Sequence, residues 1–217
     1  MSDEHPLRTT FTTLLAHYGG QGWWPAESPF EVMVGAVLTQ NTAWSNVERA
    51  INNLRTADCL APESILACPT EHLASLIRPS GYFNVKARRL QNLCRWLLAE
   101  GGEPALRRRE TMTLRRDLLA LNGVGPETAD DILLYAFERP VFVIDAYTRR
   151  IFARLGLETG DEGYEVLRSH AEEVLQEETE TMQELHALLV VHAKEHCRVR
   201  PRCSGCPLFN RCASAST

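Results

Sequence analysis

Two carboxylates and four thiols carry most of the chemistry that can be read from this 217-residue chain. Asp145 follows the apolar run Val141-Phe142-Val143-Ile144. A fixed, partly desolvated carboxylate can stabilise a developing positive charge and orient or deprotonate a water. Asp145 also precedes the helical pattern Tyr147, Ile151, Phe152, Leu155, so it reads equally as an N-cap. The two roles are compatible. Upstream, Thr113 to Ala120 has helical spacing and leads into Leu121-Asn122-Gly123-Val124-Gly125-Pro126-Glu127-Thr128-Ala129. Gly123 and Gly125 are expected to take positive φ in a tight turn with no Cβ in the way. Pro126 suits the first position of a helix, and Ala129, Ile132, Leu133 and Ala136 continue it on one face. The pattern reads as helix–hairpin–helix, whose outward backbone N–H groups could hold a phosphate. A plain αα-hairpin is the alternative. Glu127 reads either as a functional position or as a solvated acid favoured by the helix dipole.

Cys197, Cys203, Cys206 and Cys212 fall within sixteen residues as Cys-x5-Cys-x2-Cys-x5-Cys. Four thiolates so close can surround one metal centre, and zinc and [4Fe–4S] both accept them. No basic region followed by an apolar run stands near the N-terminus, so the cysteines read as metal ligands rather than a disulfide framework. Cys59, Cys68 and Cys94 are isolated and read as packing residues. His192 and His196 share a helix face, which admits a metal pair but offers no clear third ligand, and His186 lies on the same helix. Asp130 and Asp131 are adjacent on a helix and read as surface or cleft residues.

On these strings, residues from about 28 to 213 resemble the endonuclease III superfamily of DNA repair glycosylases, built on a helix–hairpin–helix and a Gly/Pro-rich loop followed by an aspartate. Trp23-Trp24-Pro25-Ala26 and Val34-Gly35-Ala36-Val37-Leu38-Thr39-Gln40-Asn41-Thr42 bring the chain nearest to the endonuclease-III-like 3-methyladenine DNA glycosylases. The resemblance implies an all-α, two-lobed helix–hairpin–helix glycosylase fold with a C-terminal iron–sulfur cluster loop at 197–212. Residues 29–136 would form a central helical domain, and 1–28 plus 137–217 a second, with the substrate cleft between them. It implies a catalytic Asp145, DNA contacts at Leu121, Gly123, Val124, Gly125 and Thr128, and Gln40 filling the gap left by a flipped base. It also implies a base pocket drawing on Trp23, Trp24 and Trp44, and a [4Fe–4S] cluster on the four clustered cysteines, with zinc the alternative. The family's first cluster gap has six residues where this chain has five; the other gaps agree. Some 3-methyladenine relatives lack the cluster, so the chain mixes features of two subgroups. Core packing stays open for the tryptophans, and an exposed helix-end amide for Gln40.

Bifunctional members carry a lysine two residues after the second hairpin glycine, where this chain has Glu127. An amine is needed to form a Schiff base with the sugar. The only lysines, Lys86 and Lys194, lie elsewhere. A monofunctional enzyme that releases a damaged base from double-stranded DNA and leaves an abasic site is therefore expected. N-alkylated purines such as 3-methyladenine suit it, because they are cationic, leave without a general acid, and stack on electron-rich rings. The alternatives are an oxidised-pyrimidine or mismatch glycosylase with lyase activity, and an inactive iron–sulfur DNA-binding protein.

The elements that must position these groups read as helices almost throughout. Apolar faces recur at Leu7, Leu14 and Tyr18, at Val47, Ile51 and Leu54, at Leu73, Leu76 and Ile77, at Val85 to Leu98, at Val166 to Leu175, and at Met182 to Val191. Phe30 to Leu38 is apolar nearly all round and should be a buried helix. Gly101-Gly102 should end the helix before it, and only Val141 to Ile144 suggests strand. The net charge of −5 hides an asymmetry: residues 158–184 carry −9 and the rest +4, with Lys194, Arg198, Arg200, Arg202 and Arg211 clustered near the cysteines. Phosphate binding needs such a patch rather than a basic average. The acidic stretch reads as a solvated face. No apolar run approaches the roughly eighteen residues of a membrane span, and a monomer in the cytosol or nucleoid is expected.

Overall fold

The computed structural model describes residues 5–157 and 161–215. The described residues contain no strand. The helices are α1 (Pro6–Tyr18), α2 (Pro29–Leu38), α3 (Trp44–Thr56), α4 (Pro62–Ala67), α5 (Thr70–Leu76), α6 (Phe83–Ala99), α7 (Gly102–Leu106), α8 (Thr111–Leu119), α9 (Pro126–Asp131), α10 (Ala146–Leu155), α11 (Tyr164–Leu175) and α12 (Thr179–Glu195). The chain divides into two compact units, Ala26–Phe137 and Met1–Pro25 with Glu138–Thr217.

In Ala26–Phe137 the organising element is α2. Ser28 caps it by accepting from the Glu31 N–H at 3.2 Å, and Pro29 opens it. Every residue from Glu31 to Leu38 is buried. A helix apolar on all sides must be surrounded, and α3, α6, α9 and the turn after α9 pack on it. Its one buried acid, Glu31, is matched by Arg55 of α3 at 2.9 Å.

The end of α2 is held by Lys86, which is 1% exposed. Its ammonium donates to the Leu38 carbonyl at 2.9 Å and the Ser80 carbonyl at 2.7 Å. Burial first, then the neighbouring Arg89 charge, lowers its pKa to about 8. The basic look of α6 in sequence thus hides one cation in the core, because two carbonyls satisfy it there.

Asp130 and Asp131 are not surface residues. Asp130 is fully buried and Asp131 nearly so. Asp130 receives Arg115 of α8 through two bonds, 2.7 Å from Nε and 3.0 Å from Nη2, so this arginine turns inward. A two-pronged ion pair of this kind fixes the angle between the hairpin helices more tightly than apolar contact does. Beyond Asp131 the helix widens into one π turn, Ile132–Ala136, all of it buried. Burial there extends all round instead of along one face. Gly101 and Gly102 end α6 as expected, both at positive φ, but α7 begins at once.

In the other unit, α1 and α10 both pack on α12, and α1 also meets α11. Val141–Ile144 is buried but forms no strand. Side chains bind its backbone: Phe142 N–H donates to Glu172 at 2.9 Å and Ile144 N–H to the Tyr164 hydroxyl at 3.4 Å. Buried irregular backbone needs such partners. The acid-rich stretch is therefore more than a solvated face. Glu172 also pairs with Arg168 at 2.6 Å, Glu178 with Arg8 at 2.8 Å, and Glu184 accepts from the Gln21 N–H at 2.5 Å. Residues 158–160 of that stretch lie outside the described residues.

Two stability outcomes follow from the buried charges. Asp130→Ala removes the two-pronged partner of the buried Arg115 and should lower the unfolding free energy by about 3–5 kcal/mol. Arg115→Met combined with Asp130→Leu should restore most of it; a mild effect of the single change in urea unfolding would contradict the assignment. The unfolded chain keeps the Lys86 proton up to the ordinary value of 10.5, whereas the folded chain sheds it near 8. Unfolding then takes up a proton in that window, so stability rises with pH from about 8 towards 10.5. Lys86→Met should flatten that rise, and an unchanged slope would refute the linkage.

Candidate active site and metal centre

The hairpin lies in Ala26–Phe137, between α8 and α9. The chain leaves α8 in a turn in which Val124 N–H donates to the Leu121 carbonyl at 3.1 Å. Gly123 sits at φ +98, where only glycine is comfortable. Gly125 does not share that conformation: at φ −95 it is the extended cap of α9, with Pro126 at the first position. Its lack of a side chain leaves open space above the helix start. Leu121 is half-buried, whereas Val124 and Thr128 are buried, so these last two support the loop from within. Glu127 is exposed on the first turn of α9 and borders the hollow formed by the loop.

Gln40, just past the end of α2, is not a loose amide. Its Nε2 donates to the Gly123 carbonyl at 3.1 Å and to the Thr128 hydroxyl at 3.0 Å, and its Oε1 accepts from Arg89. Arg89 lies against Gly123, so that any Cβ there would strike its side chain. The sequence reading passed over Arg89, although its three-residue spacing from Lys86 puts both on one face of α6. Gln40, Gly123, Gly125, Glu127 and Thr128 thus line one hollow, together with Arg89.

In the other unit, Asp145 does cap α10: its Oδ1 accepts from the Thr148 N–H at 2.6 Å. Its Oδ2 lies 3.9 Å from Nε2 of His186, and the side chain is 13% exposed. Burial lowers the His186 pKa, with the Asp145 charge acting in the opposite direction. One carboxylate oxygen is therefore committed to the helix and the other faces an imidazole. His186 was legible only as one histidine on an apolar helix; its place opposite Asp145 depends on the packing of α10 on α12.

None of the three tryptophans is core. Trp23 and Trp24 are half-buried in this unit, and the Lys194 ammonium lies 5.7 Å from the centre of the Trp23 ring. Trp44 opens α3 in Ala26–Phe137, half-exposed, with its Nε1 donating to Glu48 at 3.0 Å. Ala26–Phe137 carries another exposed aromatic, Tyr82, which is 70% exposed at the left-handed start of α6.

Cys197, Cys203, Cys206 and Cys212 line one cavity, together with Ile151, Leu155, Leu208, Arg154, His192 and His196. All four are half-buried, and no cysteine of the chain is in a disulfide. Arg154 clasps the loop: Nη1 donates to the Arg198 carbonyl at 2.6 Å and lies 3.3 Å from Sγ of Cys197, while Nη2 donates to the Val199 carbonyl at 2.9 Å. Nε2 of His192 lies 3.8 Å from Sγ of Cys206, and its Nδ1 3.0 Å from the Tyr18 hydroxyl. Burial, then the neighbouring His196 and His17, lowers the His192 pKa to about 4, while burial and the Glu195 charge raise that of Tyr18. His196 is tied to the Arg202 carbonyl at 2.9 Å. The two histidines thus wall the cysteine cavity and do not form a metal pair. Among the described residues, no group of three or more His, Cys, Asp or Glu is gathered closely enough to hold a single metal ion. Four soft thiols around one cavity, with a cation against one of them, nonetheless fit a tetrathiolate centre, whose charge is negative. Cys94 and Cys59 lie away from it, buried, their thiols pushed up to about 12 and about 11; Cys68 is only half-buried.

The chain is 47% identical over 207 residues to the provisionally named DNA repair glycosylase MJ1434 of Methanocaldococcus jannaschii, covering 94% of each chain. It is similar to the H. pylori 3-methyladenine DNA glycosylase MagIII bound to 1,N6-ethenoadenine, with a TM-score of 0.75 and 30% identity over 87% of this chain and 95% of that one. It also shares the fold of endonuclease III in a non-covalent DNA complex, with a TM-score of 0.83 and 24% identity, covering 99% of this chain and 97% of that one. The family model for HhH-GPD superfamily base excision DNA repair proteins matches residues 34–177. With both the hairpin turn and Asp145 inside that span, the chain belongs to the HhH-GPD superfamily of base excision DNA repair proteins, as a DNA glycosylase of that family.

Proposed function

We propose that this glycosylase is monofunctional: it hydrolyses the N-glycosidic bond of an alkylated purine flipped out of duplex DNA and leaves an abasic site. The observation that carries the reading is the fate of the amines. The hairpin position that would supply a lyase lysine holds Glu127, an exposed acid. A lysine with a lowered pKa makes a good Schiff-base nucleophile, and Lys86 has one. Access decides against it, because Lys86 is 1% exposed and both its nearest acceptors are core carbonyls. Lys194 is exposed but lies over the Trp23 ring, outside the hairpin.

Asp145 then does the chemistry alone. Departure of the base builds positive charge on the sugar. A carboxylate held by the Thr148 N–H is preorganised to stabilise that charge. Its second oxygen can take the proton of the attacking water. Backbone at the hairpin turn holds a phosphate, with Arg89 adding charge, and Gln40, just past the end of α2, is bonded to that turn. Trp23, Trp24 and Trp44 are the candidate stacking surfaces. The Trp23 face already attracts one cation, and such an attraction is worth about 0.5–2 kcal/mol to a cationic purine. The alkylpurine class is favoured by the 30% identity to a 3-methyladenine enzyme across nearly its whole length. The four clustered cysteines would hold a [4Fe–4S] cluster, which supplies a buried, thiolate-held redox centre. The likeness to endonuclease III keeps an oxidised-pyrimidine activity as the second reading.

Asp145→Asn keeps an N-cap of equal quality while removing the charge. Single-turnover base release should fall by about 100-fold or more with duplex binding retained; a residual rate near wild type would remove Asp145 from the mechanism. Borohydride added during reaction on abasic duplex should trap no covalent adduct, and efficient trapping would identify a working amine.

A further inference from the structure

One group of residues beside the cysteine cavity is left without a role. Tyr18 of α1 and His192 of α12 are joined at 3.0 Å, and the far nitrogen of the same ring lies 3.8 Å from Sγ of Cys206. Three groups from three separate segments are thus in line, Tyr18 hydroxyl, imidazole, sulfur. His192 is 2% exposed.

The chemistry of the sulfur fixes the direction of the chain. A metal-bound cysteine is a thiolate, so it can only accept. The nitrogen facing it, Nε2, must therefore carry the proton. In a neutral ring Nδ1 is then bare and must accept, and the Tyr18 hydroxyl is the donor it meets. For a neutral ring that assignment follows once Cys206 is a ligand. The opposite tautomer would turn two lone pairs on each other at the sulfur.

We propose that Tyr18 and His192 form a hydrogen-bonded pair that fixes the imidazole tautomer and aims an N–H at Sγ of Cys206, so setting the reduction potential and retention of the thiolate-held centre. An N–H donated to a cluster sulfur stabilises the charge added on reduction, which raises the potential. Tyr18 acts only through the ring, as a positioning residue. The inference rests on the cluster reading given above.

The test uses the protein as purified with its metal. Iron and sulfide analysis of the wild type comes first: zinc in their place would overturn both the cluster reading and this inference. With iron present, Tyr18→Phe should keep the iron content, shift the potential negative, and lose visible absorption under ferricyanide about tenfold faster. His192→Phe should shift it at least as far, and His192→Gln, which can still present an N–H, should lie closer to wild type. The double variant Tyr18→Phe/His192→Phe should match His192→Phe alone. Additive shifts, or a Tyr18→Phe potential equal to wild type, would overturn the inference while leaving the cluster reading intact.

Discussion

A lysine ammonium buried under two carbonyls sets much of what Ala26–Phe137 can do. Lys86 ties the last carbonyl of α2 to Ser80, ahead of α6. Two residues beyond Leu38, Gln40 is bonded to the hairpin at Gly123 and Thr128, and Arg89, one turn along from Lys86, closes the set. The end of the central helix, the amide and the hairpin turn are thus one hydrogen-bonded assembly. Placing a charge in the core is unfavourable unless it is hydrogen-bonded there. Meeting that demand here also takes the amine away from any substrate. The same interaction that gives the hairpin its rigid base removes one of only two lysines from the chemistry.

The carboxylate proposed to react is handled differently. Asp145 keeps one oxygen for the helix it caps and one for the surroundings, opposite a buried imidazole. Capping and catalysis are often weighed as rival explanations of an aspartate before a helix. In the proposed mechanism the cap is the device that holds the second oxygen in place, since the carboxylate is anchored at Oδ1. Preorganisation comes from the backbone of α10, and the charge stays available because the bond to an N–H does not neutralise it.

Much of this was legible in the chain. The Gly-Val-Gly-Pro string gave the hairpin, since a turn with positive φ and a helix start at proline need little context. The spacing of Cys197, Cys203, Cys206 and Cys212 gave four thiols on one cavity, and Phe30–Leu38, apolar but for Glu31, gave a helix surrounded on all sides. The misreadings share a cause. Asp130, Arg115 and Lys86 are charged, and a sequence read residue by residue puts charge outside; only pairing across elements shows why they are inside. Val141–Ile144 is β-branched and aromatic, yet there is no strand among the described residues for it to pair with, and side chains of α11 take the N–H groups of Phe142 and Ile144. His186, His192 and Tyr18 were individually unremarkable because their partners lie far off along the chain.

The account turns on base release without strand cleavage. The direct measurement incubates the purified protein with a methylated duplex and a thymine glycol duplex, and follows released base and strand breaks separately. Released 3-methyladenine with an intact backbone is the result predicted for a carboxylate-driven glycosylase whose hairpin carries Glu127 in place of a lysine. Strand cleavage on the thymine glycol duplex would contradict it, because an amine outside the hairpin would then have to be acting.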